Sequence, residues 1–188
     1  MIKTILDLCG GTGAWSAPYR EAGYNVIVID AKNGQDVRLL KPFPYPVRGI
    51  LAAPPCTHLA GSGARWWEEK GESALLESLS IVDACLRAVV LCRPNWWALE
   101  NPVGRLSRYL GPPAITFDPC DFGGWPGGDG DNYTKKTCLW GDFTPPEIRR
   151  IRPTDGSRMH RMPPTDNRWE LRSMTPTGFA RAFFEANP

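Results

Sequence analysis

The opening segment leaves this chain few folds to choose from. Thr4-Ile5-Leu6-Asp7-Leu8 is an apolar run of strand length that passes directly into Cys9-Gly10-Gly11-Thr12-Gly13-Ala14-Trp15-Ser16, a glycine-rich turn. Ala17–Ala22 has helical character, Gly23 stops it, and Asn25–Ile29 is a second apolar strand closed by Asp30. Strand, turn, helix and strand in that order make a parallel pair, and open α/β sheets keep their chemistry beyond the carboxyl ends of such strands. The parts divide the labour. Glycines let the backbone approach a ligand, the helix start offers unpaired N–H groups, and an acid at the second strand tip accepts hydrogen bonds from ribose hydroxyls. This is a nucleoside-cofactor pattern, with a plain tight turn as the bland alternative.

Gly34-Gln35-Asp36-Val37 follows so soon that no crossover helix fits, and the fold is abbreviated there. A third apolar run, Gly49-Ile50-Leu51-Ala52-Ala53, is halted by Pro54-Pro55, which hold Cys56-Thr57-His58 just past its carboxyl end. A thiolate is the strongest nucleophile among side chains near neutral pH, although a free cysteine is also a common small core residue. In Thr57–Glu69, Trp66 and Trp67 read equally as lids on the core or as exposed rings that stack on bases. Ser73–Cys92 is a structural helix, with Leu75, Leu76, Leu79, Val82, Leu86, Val89 and Val90 at helical spacing and Pro94 closing it. The strand Asn95–Leu99 then delivers Glu100-Asn101-Pro102 to the edge that carries Cys56. A carboxylate there needs a salt bridge or cap, or it is held to exchange protons with a substrate.

Ala114–Asp118 reads as another strand and the Gly/Pro/Asp-rich Asp118–Asn132 as a mobile loop. Tyr133–Gly141 alternates like a strand that presents Lys135 and Lys136 on one edge, and Thr175–Ala186 is a helix with Phe179, Ala182 and Phe183 as its apolar stripe. With 188 residues, 42% hydrophobic and 22% charged, one α/β domain accounts for the chain, and 19 glycines and 19 prolines predict a loop-rich periphery. Six cysteines without a Cys-x-x-Cys pair indicate neither a disulfide framework nor structural zinc; Cys85 and Cys92 read as core, and Cys120, Cys138, His58 and His160 lack ordinary zinc-ligand spacing. The net charge of +2 is too small to argue for nucleic acid, but Arg149, Arg150, Arg152, Arg158, Arg161, Arg168 and Arg172 crowd the C-terminal quarter. No leader or membrane-length apolar run is visible, so the expectation is a cytoplasmic protein.

Asp7-Leu8-Cys9-Gly10-Gly11-Thr12-Gly13, Pro54-Pro55-Cys56, Leu99-Glu100-Asn101, the basic stretch Lys135 to Gly141, and Arg172-Ser173-Met174-Thr175-Pro176 with Ala180-Arg181 and Asn187-Pro188 occur in one order. Together they resemble the motifs of the cytosine-C5 DNA methyltransferases. The resemblance implies a Rossmann-like fold that binds S-adenosylmethionine. In it Cys56 adds to cytosine C6, Glu100 protonates N3, and Lys135, helped by Lys136, orients Glu100 or holds the base O2. By the same resemblance Cys9, Gly11, Thr12, Gly13 and Ala14 line the methionine and ribose side. Asp7, Gly10, Trp15 and Ala31 stand beside them, Asp30 takes the ribose, Asp36 and Val37 the adenine, and Pro54 the floor. A basic strand and a sulfonium neighbour are expected to lower the Cys56 pKa. The target base must be flipped out of the duplex.

Three departures from the family pattern stand out. The basic stretch has Thr137 where a second arginine is usual, which leaves that role to Lys136 or an arginine from elsewhere. Thr57 replaces the glutamine common after the nucleophile. Only Asp142–Leu171 separates the basic stretch from the Arg172 motif, where the family places a recognition domain, and the family's last motif is missing after Pro188. The layout is then a catalytic domain at 1–141, a Pro/Arg-rich target-recognition segment at 142–171, and a C-terminal helix at 172–188. Thr57, Arg149, Arg150, Arg152, Arg158, Arg161 and Arg168 are the candidate DNA contacts, enough to neutralise phosphates and reach a base edge. The expected partner is double-stranded DNA with a short or degenerate target, bound by a monomer, of the compact kind found in phage genomes. RNA or a free cytosine nucleotide, a catalytically silent DNA-binding protein, and a partner subunit that supplies recognition are the competing expectations.

Overall fold

The computed structural model describes residues 2–158, 162, 163, 165, 166 and 168–188. Among these, one sheet is formed by β1 (Thr4–Leu8), β2 (Asn25–Ile29), β3 (Gly49–Ala52), β4 (Trp96–Pro102), β5 (Ile115–Phe117) and β6 (Thr137–Asp142), in the order β2-β1-β3-β4-β6-β5. The first four are parallel, and β6 runs antiparallel between β4 and β5. The helices are α1 (Ala17–Glu21), α2 (Trp67–Cys92), α3 (Ser107–Leu110), α4 (Arg168–Ser173) and α5 (Thr177–Ala186). From β2 to β3 there are only two 3-10 turns, Ala31–Asn33 and Val37–Leu39, the abbreviation that the short spacing predicts.

Strand alternation sorts the core onto two faces. Leu6, Leu8, Ile50, Ala52 and Leu99 pack with Val82, Cys85 and Ala88 of α2. Ile5, Leu51 and Ala98 face an aromatic layer of Trp15, Tyr19, Trp96, Phe117, Phe179 and Phe183, which seats α1 and α5. The register aligns Asp7 with Leu51 and Leu51 with Ala98, so Asp7 and Glu100 emerge on this aromatic face near the carboxyl edge.

Several boundaries differ from the sequence reading. β4 continues through Glu100-Asn101-Pro102 because β6 pairs with it that far, so the acid lies within a strand rather than beyond one. α2 starts earlier, at Trp67, but Gly71 (φ 71°) breaks it and separates its first turn from the long helix. Lys135 and Lys136 precede β6 and are not displayed along it. Asp118–Asn132 is a packed structure, not a loose loop. Asp118 and Asp121 cap each other across a 3-10 turn, Phe122 and Trp125 are buried, and Asp131 accepts from Gly178 N at 2.8 Å. The segment after β6 is sewn onto it by Gly124 N to Arg149 O (2.8 Å) and Ile151 N to Cys120 O (2.9 Å).

Candidate active site

β1 and β3 lie side by side, and the chain leaves them toward opposite sides of the sheet, the switch point where such folds open a crevice. The β1 turn is tightly built. Cys9 adopts a left-handed φ of 56°, and a Cβ on Gly10 would stand 2.3 Å from the Asp7 carboxyl, so the turn closes over that acid only with glycine there. Asp7 is fully buried; Ser16 Oγ donates to its Oδ2 at 2.5 Å, and its Oδ1 has no hydrogen-bond partner among the described residues. Burial pushes its carboxyl up to about 6 against the opposing pull of Ser16. Asp30 accepts Gly11 N (2.8 Å) on one oxygen and Lys32 N (2.9 Å) on the other. Asp36 accepts Arg38 N at 2.9 Å and pairs with the Arg38 guanidinium at 2.7 Å; these hydrogen bonds hold its carboxyl below the ordinary range.

Past β3, the Cys56 carbonyl accepts Leu59 N and Ala60 N, both at 2.9 Å, which turns the chain at once. Asn101 Nδ2 donates to Pro54 O at 2.9 Å and ties the cysteine loop to β4. A cavity of 90 Å³ gathers Asp7, Cys56, Glu100, Lys135 and Arg172, with Gly10, Gly11, Thr12, Trp15 and Pro54 also in its wall. Through Cys9, Gly11, Cys56, Lys135 and Arg172 it joins a cleft of 1420 Å³, which also takes in Asp30, Ala31, Asp36, Val37, Thr57 and Lys136. Lys135 is held at both ends: its N donates to Asp118 Oδ1 (2.8 Å) and its Nζ to the Arg172 carbonyl (2.9 Å). Lys136 is exposed and pairs with Asp118 at 3.0 Å.

Burial pushes the Glu100 carboxyl up, partly offset by Lys135, which favours the protonated acid. The Cys56 thiol is also raised, first by burial and second by the Glu100 carboxylate, with Lys135 and Arg172 pulling the other way. This reverses the expected lowering. The cations lie near enough to act but do not outweigh desolvation and the neighbouring acid.

The cleft and its deep end bring together all the expected cofactor and catalytic residues except Gly13 and Ala14, which shape the turn. Trp15 touches the small cavity, yet it is 2% exposed and packs on Phe179 and Phe183, so it belongs chiefly to the core. The candidate DNA-contacting arginines are placed elsewhere. Arg149 pairs with Glu147 and lies 3.7 Å from the Trp125 ring centroid, Arg150 pairs with Asp121, and Arg158 pairs with Asp155 and lies 4.0 Å from the Tyr133 ring centroid. Arg152 is exposed, Arg168 is partly buried in α4, and neither lines the cleft; Arg161 and His160 fall outside the described residues. Arg172 and Ser173 line both cavities although neither is among the candidate site residues; the Arg172-Ser173-Met174-Thr175-Pro176 motif is the signal that marks them. Among the described residues no group of three or more His, Cys, Asp or Glu is placed to hold a metal ion, and no helix is long and apolar enough to cross a membrane.

No protein-family model and no curated protein sequence matches the chain. A crystal structure of a protein described as a candidate DNA modification methyltransferase, encoded within a prophage and from E. coli, does match it by fold. The TM-score is 0.53 at 18% sequence identity, over 80% of this chain and 53% of that one. The fold is Rossmann-like. The chain therefore shares that neighbour's fold while spanning about half of its length.

Proposed function

We propose that this chain transfers a methyl group from S-adenosylmethionine to C5 of cytosine in double-stranded DNA, at a short or degenerate target, through a covalent bond between Cys56 and C6. The observation that carries this reading is the 90 Å³ cavity in which a thiol, a carboxyl raised by burial and two cationic side chains meet directly below the β1 turn. The turn suits the cofactor. Asp7 Oδ1 is a buried acceptor lacking a partner, the Asp30 carboxylate has acceptor capacity beyond the two N–H groups it holds, and Gly11 is open where a Cβ would otherwise stand. On this reading Asp7 faces the ammonium group, Asp30 the ribose, and Asp36 with Val37 the adenine. When bound, S-adenosylmethionine supplies an electrophilic methyl carbon.

The chain's own residues do the rest. The Cys56 thiol releases its proton to solvent and adds to C6 as thiolate while the protonated Glu100 gives its proton to N3, so the ring electrons collect at C5 as an enamine. After transfer the C5 proton passes to solvent, the C5–C6 double bond re-forms as Cys56 departs as thiolate, and N3 returns its proton to Glu100. Lys135, held between Asp118 and the Arg172 carbonyl, is positioned to stabilise charge at the base or at Glu100. Arg172 lines the same cavity, which supports its taking the second cationic position that Thr137 leaves open.

The test is incubation with tritiated S-adenosylmethionine and DNA, followed by sequencing for 5-methylcytosine. Transfer to DNA that is abolished by Cys56→Ser, together with loss of the covalent adduct on 5-fluorocytosine DNA, is the expected result. Transfer confined to RNA or to dCMP, or an adduct that survives Cys56→Ser, overturns the reading.

A further inference from the structure

Trp66 and Trp67 are equivalent in sequence, and the fold separates them. Trp67 opens α2, is half-buried, and lies beneath the Arg105 guanidinium, 4.6 Å from its ring centroid. Trp66 is the more exposed of the two. It remains 45% exposed and lines the large cleft together with Cys56, Thr57, Arg65 and Val103. The Arg65 guanidinium stands 4.9 Å from the Trp66 ring centroid. The wall that carries them is anchored: Gly61 N donates to Val103 O at 2.8 Å and Arg105 N to Leu59 O at 2.9 Å, which sew the loop after β3 to the loop after β4. Thus an exposed indole ring, with a guanidinium over one face, lines the cleft that also takes in Cys56.

We propose that Trp66, accompanied by Arg65, is a stacking platform for the base next to the target cytosine. The occupant, a DNA strand, rests on the function proposed above; the platform is read from the exposure, cation and anchoring of the ring. Every base has a π-face, so a stacking ring grips a strand without reading its sequence, and a neighbouring guanidinium adds cation–π attraction. Removing a cytosine from its stack costs free energy that contacts to the strand must offset. The segment after β6 is bound to the body through Arg149 and Ile151, and its described arginines do not line the cleft, so Trp66 is well placed to supply such a contact.

The test uses the full chain and an oligonucleotide with one cytosine flanked by 2-aminopurine, whose fluorescence falls when it stacks. Wild-type protein quenches the probe several-fold, and Trp66→Ala loses the quench. Trp66→Ala also raises KM for the oligonucleotide about tenfold, with a smaller effect on kcat. Trp66→Phe, which keeps a flat ring, recovers most of both, and S-adenosylmethionine affinity does not follow the change. A quench that persists in Trp66→Ala with KM within twofold overturns the platform, whether or not methyl transfer occurs. A Trp66-dependent quench in a protein that methylates no cytosine supports the platform and removes the methylation reading instead.

Discussion

The carboxyl ends of β1, β3 and β4 and the segment that follows β6 both concentrate polar residues, and they use them in opposite ways. At the strand tips Asp7 is buried and Cys56 and Glu100 are half-buried, with fewer partners than they can take. Asp7 keeps an unbonded oxygen, and the acids Asp7 and Glu100 and the Cys56 thiol all have their neutral forms favoured by burial. After β6 three arginines are near the surface and paired: Arg149 with Glu147 and Trp125, Arg150 with Asp121, Arg158 with Asp155 and Tyr133. The contrast is physical. A buried group without a partner stores an unmet demand that a ligand can satisfy, whereas an exposed ion pair is already content and contributes little.

The sharpest way to test this contrast is Glu100→Gln. Loss of a general acid should lower methyl transfer by about a hundredfold or more. It should also remove the negative charge that raises Cys56, so iodoacetamide alkylates Cys56 faster in the variant than in the wild type at the same mildly alkaline pH. An unchanged alkylation rate breaks the link between the two side chains.

Asp7→Asn comes next, with two effects of opposite sign. S-adenosylmethionine affinity should fall about tenfold, as expected when a charged hydrogen-bonding partner is lost, measurable by calorimetry. Stability should behave differently. The folded Asp7 carboxyl is raised to about 6 from 3.8, so the stabilisation linked to its proton is full below 3.8 and is lost as pH rises through about 6. The ligand-free wild type should therefore gain in Tm as pH is lowered from 7 toward 5. Asp7→Asn should lose that part of the pH dependence and be the more stable protein at pH 7, by as much as about 3 kcal/mol.

The smallest effect is expected in the arginine segment. Arg149→Ala should lower DNA affinity less than twofold while costing about 0.5–1 kcal/mol of stability through the lost Trp125 contact. Thermal melts and binding titrations at two salt concentrations check it. A large loss of affinity with a shallower salt dependence would mean that this arginine leaves its internal partners to meet phosphate, and the contrast between the regions would fail.

Legibility in the sequence followed the range of the interaction that decides each feature. β1 and β2 stand where the apolar runs place them, and the Gly10-Gly11 turn and the prolines before Cys56 follow from local backbone preferences, so the parallel half of the sheet and its chemical edge were readable. The end of β4 was not. Glu100 is in a strand because β6, from far along the chain, pairs opposite it. The Asp118–Asn132 segment misled for a related reason: its glycines and prolines permit turns but do not reveal that Phe122 and Trp125 enter the aromatic layer.

By itself, then, the sequence determined the α/β class, the strand–turn–helix–strand opening, and the residue types at the strand tips, because these depend on patterns spanning a few residues. Only the tertiary structure decided which polar groups are paired and which are left in need. It raised Cys56 by enclosing it and, second, by setting Glu100 near it, engaged Arg149 and Arg150 with internal partners, brought Arg172 to the cavity, and left Trp66 exposed while half-burying Trp67. Each outcome depends on a partner distant in sequence. Desolvation and pairing are properties of where the chain comes back to meet itself.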